Sequence, residues 1–507
     1  MKLKDLIKGM PIRSLKGDPE VEVSGISYDS RQAKPGDLFV CISGTKDDGH
    51  KYAKHAGERG VVAFLASREV EAEAHKAVVV VDEPRLEMGK LASRLAGDPS
   101  RQMELIGVTG TNGKTTISYL IESITCAQGQ ECGVIGTISY RWKAKEMPSS
   151  NTTPESVDVI GLLDQMLKEG VSRAALEVSS HALDQKRVAG ISFRAGIFTN
   201  LTPEHLDYHE NMEAYFLAKA KLFTEALAGK WLANEAESEP VSVINLDDPY
   251  GSKLFEMAPA KKVGYSLSDK DAAYRGELLE QGWNGLKMRL ICPLGKTVLK
   301  SALPGKINAY NILAASAALI ELGAPLEQVV QGVHALNQVP GRMERILNDK
   351  GFLVLVDYAH TPDALENVVK IVKELAIRRL ILVFGCGGDR DRKKRPKMGE
   401  IAAQNAELVI VTSDNPRSED PVRIINEIEA GIFKTGFKKL NNPGPEAKGY
   451  IVEPDRRAAI EIALTSACKG DGVLIAGKGH EDYQIIGDRK IHFDDSEEVR
   501  RIFGVKG

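Results

Sequence analysis

Lys114 and Thr115 stand directly after a small-residue turn, Gly110-Thr111-Asn112-Gly113, inside the run GVTGTNGKTTISYLIESI. An apolar strand pattern leads into the turn and an apolar-periodic helix, opening past Thr116, leads out. Small residues allow successive backbone N–H groups to converge on phosphate oxygens, and the start of the helix adds partial positive charge. In that setting Lys114 is expected to reach the β- and γ-phosphates of a nucleotide, and the Thr115 hydroxyl to ligate magnesium. The strict pattern G-x-x-x-x-G-K-[ST] is not met, because its first glycine falls at Val108; the variant TGTNGKTT stands instead. The bland alternative is a glycine turn with a solvated lysine. A phosphate loop predicts ATP or GTP and leaves switch, motor, kinase and ligase open.

Further side chains of the same block could join that chemistry. AALEVSSH places Glu177 and His181 at or just past the end of a buried strand, the edge at which parallel sheets hold ligands. GIFTN ends likewise and is followed by Glu204, His205, Asp207 and His209. An acidic and imidazole cluster at two strand ends suits a second magnesium site. Against it stands the reading of His181 and His209 as hydrogen-bonded loop residues. In MEAYFLAKAKLFTEAL, Lys219 and Lys221 sit among apolar positions; on pattern alone Lys219 is a solvated helix lysine.

The elements that must position these residues alternate along all 507 residues as apolar runs and amphipathic stretches, the pattern of α/β domains with largely parallel sheets. Three domains are expected. Residues 1–101 carry the strands GDLFVCI, GVVAFLA and AVVVVD and a helix ending at Gly-Asp-Pro. Residues 102–338 carry MELIGVTG, AALEVSS, AGIFTNL and SVINLDDP, then an antiparallel-looking stretch from about Ala260 to Ala302 and the helix AYNILAASAALIELG. Residues 339–507 open at the Pro340-Gly341 turn and carry FLVLVDYA, RLILVFGCG, ELVIVTSD and VLIAGKG, a second nucleotide-fold-like unit. With 67 Lys+Arg against 70 Asp+Glu, the charge footprint of a nucleic-acid coat protein is missing. Six scattered cysteines form no C-x-x-C pair, which argues against a zinc site or a disulfide framework. No long apolar run or cleavable leader is visible, so a cytosolic protein without membrane insertion is expected.

Taken in order, TGTNGKTT, EVSSH, TN-x-x-x-x-HLD-x-H, Y-x-x-AK-x-x-LF (Tyr215 to Phe223) and G-x-x-N-x-x-N-x-x-AA (Gly305 to Ala315) resemble the Mur ligases, which build the peptide stem of bacterial peptidoglycan. YDSRQAKPGDLFVCISGTKDDGH, DYAHTPDAL, FGCGGDRDRKKRP, SDNPR and GKGHE extend the likeness over nearly the whole chain and point to the branch that adds the third amino acid. The resemblance implies an N-terminal domain for the UDP end of the substrate, a central P-loop ATPase with a mostly parallel sheet, and a C-terminal Rossmann-like domain for the incoming amino acid. It implies ATP and Mg2+, an acyl phosphate made on the substrate carboxylate, and attack by the amine of the amino acid. ATP would be bound by residues 110–116 and Asn308, and Lys114, Glu177, His205 and Lys219 would serve catalysis. Thr115 and Glu177 would hold one magnesium; Glu177, His205 and a carbamate on Lys219 would organise a second. That last implication reverses the solvated reading of Lys219. The family's usual Asp-His-Leu-Asp reads Glu204-His205-Leu206-Asp207 here.

For the UDP-MurNAc-dipeptide, the resemblance assigns Ser30 to the UDP part and Asn151, Thr152, Thr153, Ser179, Gln185 and Arg187 to the muramoyl dipeptide. The plain alternative for Thr152-Thr153-Pro154 is a helix cap. In the C-terminal block, Asp414-Asn415-Pro416-Arg417 matches the motif whose arginine meets the extra carboxylate of meso-diaminopimelate, and Arg390, Gly477 and Glu481 match further contacts. A guanidinium there rewards a carboxylate and opposes lysine; an Asx-Pro turn is the structural alternative. Expected partners are small molecules only, and the expected state is a monomer. The rivals are the same reaction with L-lysine, a ligase like folylpolyglutamate synthase, and a nucleotide-driven switch.

Overall fold

The structure is a computed structural model that describes residues 1–504 except 45–46, 74, 234–238, 260, 376 and 442. Thr45 and Lys46 of the N-terminal run therefore lie outside the described residues. The chain is mixed α/β and forms two compact units. The first holds residues 1–276, 290–297 and 310–333, and the second 277–289, 298–309 and 334–507.

Two sheets make up the first unit. In the N-terminal one, the order is Ser14–Lys16, Ala77–Val80, Ala63–Ala66, Asp37–Val40, Gly25–Ser27, all parallel except the first pair. Asp37–Val40, Ala63–Ala66 and Ala77–Val80 are short runs buried on both faces, as parallel strands covered by helices must be. The helix Pro84–Leu95 starts on proline and stops where Gly97 turns left-handed, φ 79°, as the Gly-Asp-Pro signal predicts.

In the central sheet, Lys261–Ser266, Val241–Asn245, Ala195–Phe198, Glu104–Thr109, Arg173–Glu177 and Cys132–Ile135 lie side by side, all parallel. Ser139–Trp142 and Lys145–Pro148 add an antiparallel edge. The antiparallel reading from Ala260 onward is thus wrong for Lys261–Ser266, which runs parallel to Val241–Asn245 and pairs in parallel with Tyr274 and Arg275. Two lysines and a glycine broke its apolar run, although its last four residues are buried like those of the other parallel strands. The predicted helix around Lys219 forms as Met212–Lys221 and continues as a π-helical turn, Leu222–Ala226, a geometry frequent at functional sites.

The second unit carries Glu344–Arg345, Leu353–Asp357, Gly472–Ala476, Leu380–Phe384, Leu408–Val411 and Gly449–Val452 in that order, parallel after the first antiparallel pair. Gly472–Ala476, last in sequence, is inserted between Leu353–Asp357 and Leu380–Phe384, so the connections diverge there and open a crevice beyond the strand ends. Helices on both faces bury the apolar runs of Leu353–Asp357, Leu380–Phe384, Leu408–Val411 and Gly472–Ala476.

Candidate active site

The carboxyl ends of four neighbouring central strands converge on the phosphate loop. Glu104–Thr109 runs into Gly110, φ 140°, and Gly113, φ 94°, and Lys114 opens the helix Lys114–Ala127. The loop has no room for larger residues: a Cβ on Gly110 would lie 1.9 Å from Thr199 Oγ1, and one on Gly113 would lie 2.4 Å from Asn311 Oδ1. Asn112 N–H donates to Asn200 Oδ1 (3.0 Å), while Thr199 Oγ1 donates to Asn112 O (2.6 Å). Thr116 is buried behind the loop. Asn308 lies in the second unit, where its side-chain amide donates to Pro304 O.

Glu177, 1% exposed at the end of its strand, is fully engaged. Thr115 Oγ1 donates to its Oε2 (3.1 Å), Thr137 Oγ1 donates to the same oxygen (2.8 Å), and Thr137 N–H donates to Oε1 (3.1 Å). A hydroxyl and a carboxylate side by side are hard oxygen donors of the kind magnesium takes, so Thr115 and Glu177 fit that ion.

Lys219 is 2% exposed, not solvated. Its Nζ donates to Gly110 O at 2.8 Å, and Lys114 Nζ donates to the same oxygen at 2.9 Å. Burial first, and the Lys114 charge second, hold the Lys219 amine well below its ordinary pKa. Tyr215 lies beneath it, the ring centroid 4.6 Å from Nζ.

The imidazoles gather differently from the expected acid-imidazole cluster. His181 packs edge-on to His205 (4.7 Å between centroids), tilts against Tyr208 (4.3 Å) and lies 5.4 Å from His209. His209 shares a 2.9 Å hydrogen bond with Ser180 Oγ, the hydrogen-bonded role weighed against a metal role. Asp207 is exposed, and among the described residues no group of three or more His, Cys, Asp and Glu side chains forms a metal cluster. Burial lowers the pKa of His181 to about 4 and also lowers those of His205 and His209, so these rings are neutral near pH 7. His205 sits in left-handed backbone, φ 56°, with Glu204 3.8 Å away. Lengthening Asp to Glu at position 204 therefore leaves its charge at this edge.

Beside Glu177, Thr153 Oγ1 donates to Glu177 O (2.8 Å) and accepts from Ser179 N–H (3.0 Å). This overturns the helix-cap alternative, because the helix Ser156–Lys168 has Glu155 at its cap position and no side-chain cap bond. Arg187 donates to Thr153 O and Gln185 Oε1, and lies 3.2 Å from Glu155. Arg85, which the sequence reading missed, donates to the same Gln185 oxygen from the N-terminal part. Thr152 Oγ1 is 3.1 Å from Thr137 Oγ1, Asn151 is exposed, and Ser30 Oγ lies 3.0 Å from His55 Nδ1.

In the second unit, the candidate residues lie beyond the ends of neighbouring strands. Asp414 and Asn415 are buried; Asn415 Nδ2 donates to Glu481 Oε2 (2.8 Å) and Asn415 Oδ1 accepts from Ile485 N–H (3.0 Å). That network is more than an Asx-Pro turn. Pro416 is buried and Gly477 takes φ 116°. Arg417 is half-buried in left-handed backbone, φ 52°, a strained setting for arginine. Its Nη1 donates to Gly388 O (2.7 Å). Arg390 is exposed, donating to Asp389 O. Burial first, and then the Asp414 charge, raise the pKa of Glu481.

Gly387 sets the place of Arg417: a Cβ there would come within 2.9 Å of Nη1, the movable end of a long side chain. On the role that the family resemblance implies for Arg417, Gly387→Ala is expected to keep the fold but swing the guanidinium, raising the KM of the incoming amino acid about tenfold while the KM of ATP stays unchanged, as steady-state kinetics would show.

Thr137, Thr199, Asn200 and Asn311 were also missed. Asn311 is the second asparagine of the G-x-x-N-x-x-N run and Thr199-Asn200 open the TN-x-x-x-x-HLD-x-H run, so these three could have been found; Thr137 stands singly after a strand whose adjacency no sequence pattern gives.

Three family models match successive parts of the chain. Residues 22–97 match the family described as Mur ligase family, catalytic domain; residues 108–319 match the Mur ligase middle domain; residues 341–479 match the Mur ligase glutamate ligase domain. The chain is 45% identical over 507 residues to UDP-N-acetylmuramoyl-L-alanyl-D-glutamate--2,6-diaminopimelate ligase of Geobacter sulfurreducens, covering 99% of each. It is 46% identical to the protein of that name in Geobacter metallireducens, covering 99% of this chain and 98% of the other. A solved structure with that enzyme name aligns at TM-score 0.70 with 35% identity, covering 99% of both chains. A Mycobacterium tuberculosis folylpolyglutamate synthase structure aligns at TM-score 0.58 and 18% identity, a likeness of fold alone.

Proposed function

The chain belongs to the Mur ligase family, and on that premise we infer that it joins meso-2,6-diaminopimelate to the D-glutamate of UDP-N-acetylmuramoyl-L-alanyl-D-glutamate in peptidoglycan biosynthesis. ATP is consumed to ADP and phosphate. The observation that carries the choice of amino acid is Arg417, held by Gly388 O beside the buried Asp414 and Asn415 and their partner Glu481. The names of relatives at 45–46% identity over the full length agree with it.

Residues 1–101 are read as the UDP-substrate domain, 102–338 as the ATPase domain and 339–507 as the amino-acid domain. The γ-phosphoryl group passes from ATP to the substrate carboxylate, giving an acyl phosphate. The amine of the amino acid then attacks the acyl carbon, loses a proton, and phosphate leaves. The loop amides and Lys114 would neutralise the negative charge that accumulates on the transferring phosphoryl group, and Asn308 is assigned to ATP. Thr115 and Glu177 would hold magnesium, with His205 and a carbamate on Lys219 toward a second ion; bound there, magnesium supplies charge neutralisation at the transferring phosphoryl oxygens. Ser30 is assigned to the UDP moiety, and Asn151, Thr152, Thr153, Ser179, Gln185 and Arg187 to the muramoyl dipeptide. Arg390, Asp414, Asn415, Pro416, Arg417, Gly477 and Glu481 are assigned to diaminopimelate.

No described helix is long and apolar enough to cross a membrane. We place the protein in the cytoplasm as a monomer, where ATP and a nucleotide-linked precursor are available. The test is ATP-dependent product formation from the UDP-muramoyl dipeptide with meso-diaminopimelate and L-lysine offered side by side. Incorporation of diaminopimelate at least a hundredfold faster is expected. Equal use of both would remove the acceptor assignment, and turnover only with a folate and glutamate would replace it.

A further inference from the structure

Lys478, between Gly477 and the Gly479-His480-Glu481 run, has a side chain with no exposed surface. Its Nζ lies 3.4 Å from Glu481 Oε2, 3.5 Å from Asn415 Oδ1 and 3.7 Å from Asp414 Oδ1. A lysine is rarely buried completely, because leaving water costs several kcal/mol unless opposite charges compensate it. Here two carboxylates face one ammonium, leaving one net negative charge. Asp414 Oδ1 is buried and accepts no hydrogen bond among the described residues, so the group is short of one donor.

The surrounding charges do not supply that donor. Arg456, fully buried, is held by both oxygens of Asp495 and donates onward to backbone carbonyls of Ser413 and Ala476. Arg417 donates to Gly388 O. Tyr483 turns its ring toward Lys478, with the centroid 5.5 Å from Nζ. Tyr358 packs tilted against His480, and Arg342 lies over the Tyr358 ring; burial lowers the pKa of His480 to about 3, so its ring is neutral.

We propose that Lys478 is a positioning residue that reduces the Asp414–Glu481 pair to a single net negative charge, matched to one ammonium of the incoming amino acid. This rests on the acceptor reading above and adds a charge count to it. Diaminopimelate presents one ammonium and one carboxylate at its far end. The pocket answers with one net negative charge, from Asp414, Glu481 and Lys478, and one positive charge, from Arg417. Without Lys478 the two carboxylates share a site and their protonation is favoured. Since a protonated carboxyl attracts an ammonium less, affinity then depends on pH: the KM falls as pH rises, because binding the cation expels the proton.

The experiment is steady-state kinetics of the full chain and Lys478→Met from pH 6 to 9, varying each substrate in turn. A role in acceptor positioning predicts a rise of about ten- to hundredfold in the KM of diaminopimelate at neutral pH. That KM should fall more steeply with pH than in the parent, with kcat and the KM values of ATP and the UDP-dipeptide changed less than threefold. A KM for diaminopimelate within twofold of the parent at every pH overturns the proposal, as does equal damage to all three substrates. Should Lys478→Met fail to fold, Lys478→Gln, which keeps a polar side chain but not the charge, is expected to show the same rise confined to the KM of diaminopimelate, and an unchanged diaminopimelate KM in that variant overturns the proposal. If the parent itself makes no diaminopimelate-dependent product, the acceptor reading falls and takes this one with it. A diaminopimelate-selective parent with an unaffected Lys478→Met leaves that reading standing and removes only the role of Lys478.

Discussion

Arg417→Ala is expected to lower kcat/KM for meso-diaminopimelate by about 10²- to 10³-fold and to leave L-lysine within a few-fold of its parental value. Removing one partner of a desolvated, hydrogen-bonded charge pair costs about 2–5 kcal/mol, and each 1.4 kcal/mol is a factor of ten. L-Lysine has no distal carboxylate, so it loses nothing with the guanidinium and gains relief from an unpaired positive charge. Structural damage is a weak competing explanation: Nη1 makes one bond, to Gly388 O, and the strained φ of 52° is relieved rather than worsened in a smaller residue only if the turn relaxes. An unchanged KM for ATP and an unchanged melting temperature would separate the two. Kinetics with both amino acids decide it, and a parallel fall for lysine and diaminopimelate would sink the pairing. Arg417→Lys is also expected to lose most of the selectivity, because an ammonium cannot reproduce the planar fork.

What was legible in the sequence follows from how local each signal is. The phosphate loop was readable because strand, turn and helix are contiguous, and the two left-handed glycines stand where the pattern needs them. Most parallel strands were readable because burial on both faces forces unbroken apolar runs, as in Leu380–Phe384 and Gly472–Ala476. Lys261–Ser266 was mistaken because its exposed start carries two lysines, and Gly449–Val452 escaped as four residues among glycine, proline and lysine. Cross-strand partners were hardest. Thr137 reaches Glu177 from the turn after Cys132–Ile135, and Asn200 reaches Asn112 from the end of Ala195–Phe198; only strand order, a long-range property, makes them neighbours.

Lys219 is the sharpest example, and the second large effect is expected there. Periodicity could not bury it, because Met212–Lys221 is apolar nearly all round: Tyr215, Phe216, Ala218 and Ala220 are buried with it. Two lysine nitrogens within 3 Å of Gly110 O, one of them sealed from water, repel each other unless one loses its charge. A neutral Lys219 amine can add carbon dioxide, forming an N–C bond and releasing one proton. The resulting carbamate is an anion that Lys114 attracts rather than repels. Lys219→Arg keeps the bulk and positive charge but cannot form that anion, and it is expected to lower kcat by about 10³-fold or more, comparable to losing a central electrostatic group. The ATP KM should move far less. In the parent, removal of dissolved carbon dioxide should lower activity severalfold and added bicarbonate restore it, with no such response in Lys219→Arg. Near-parental kcat in that variant would end the carbamate assignment and leave Lys219 as a buried amine that braces the phosphate loop through Gly110.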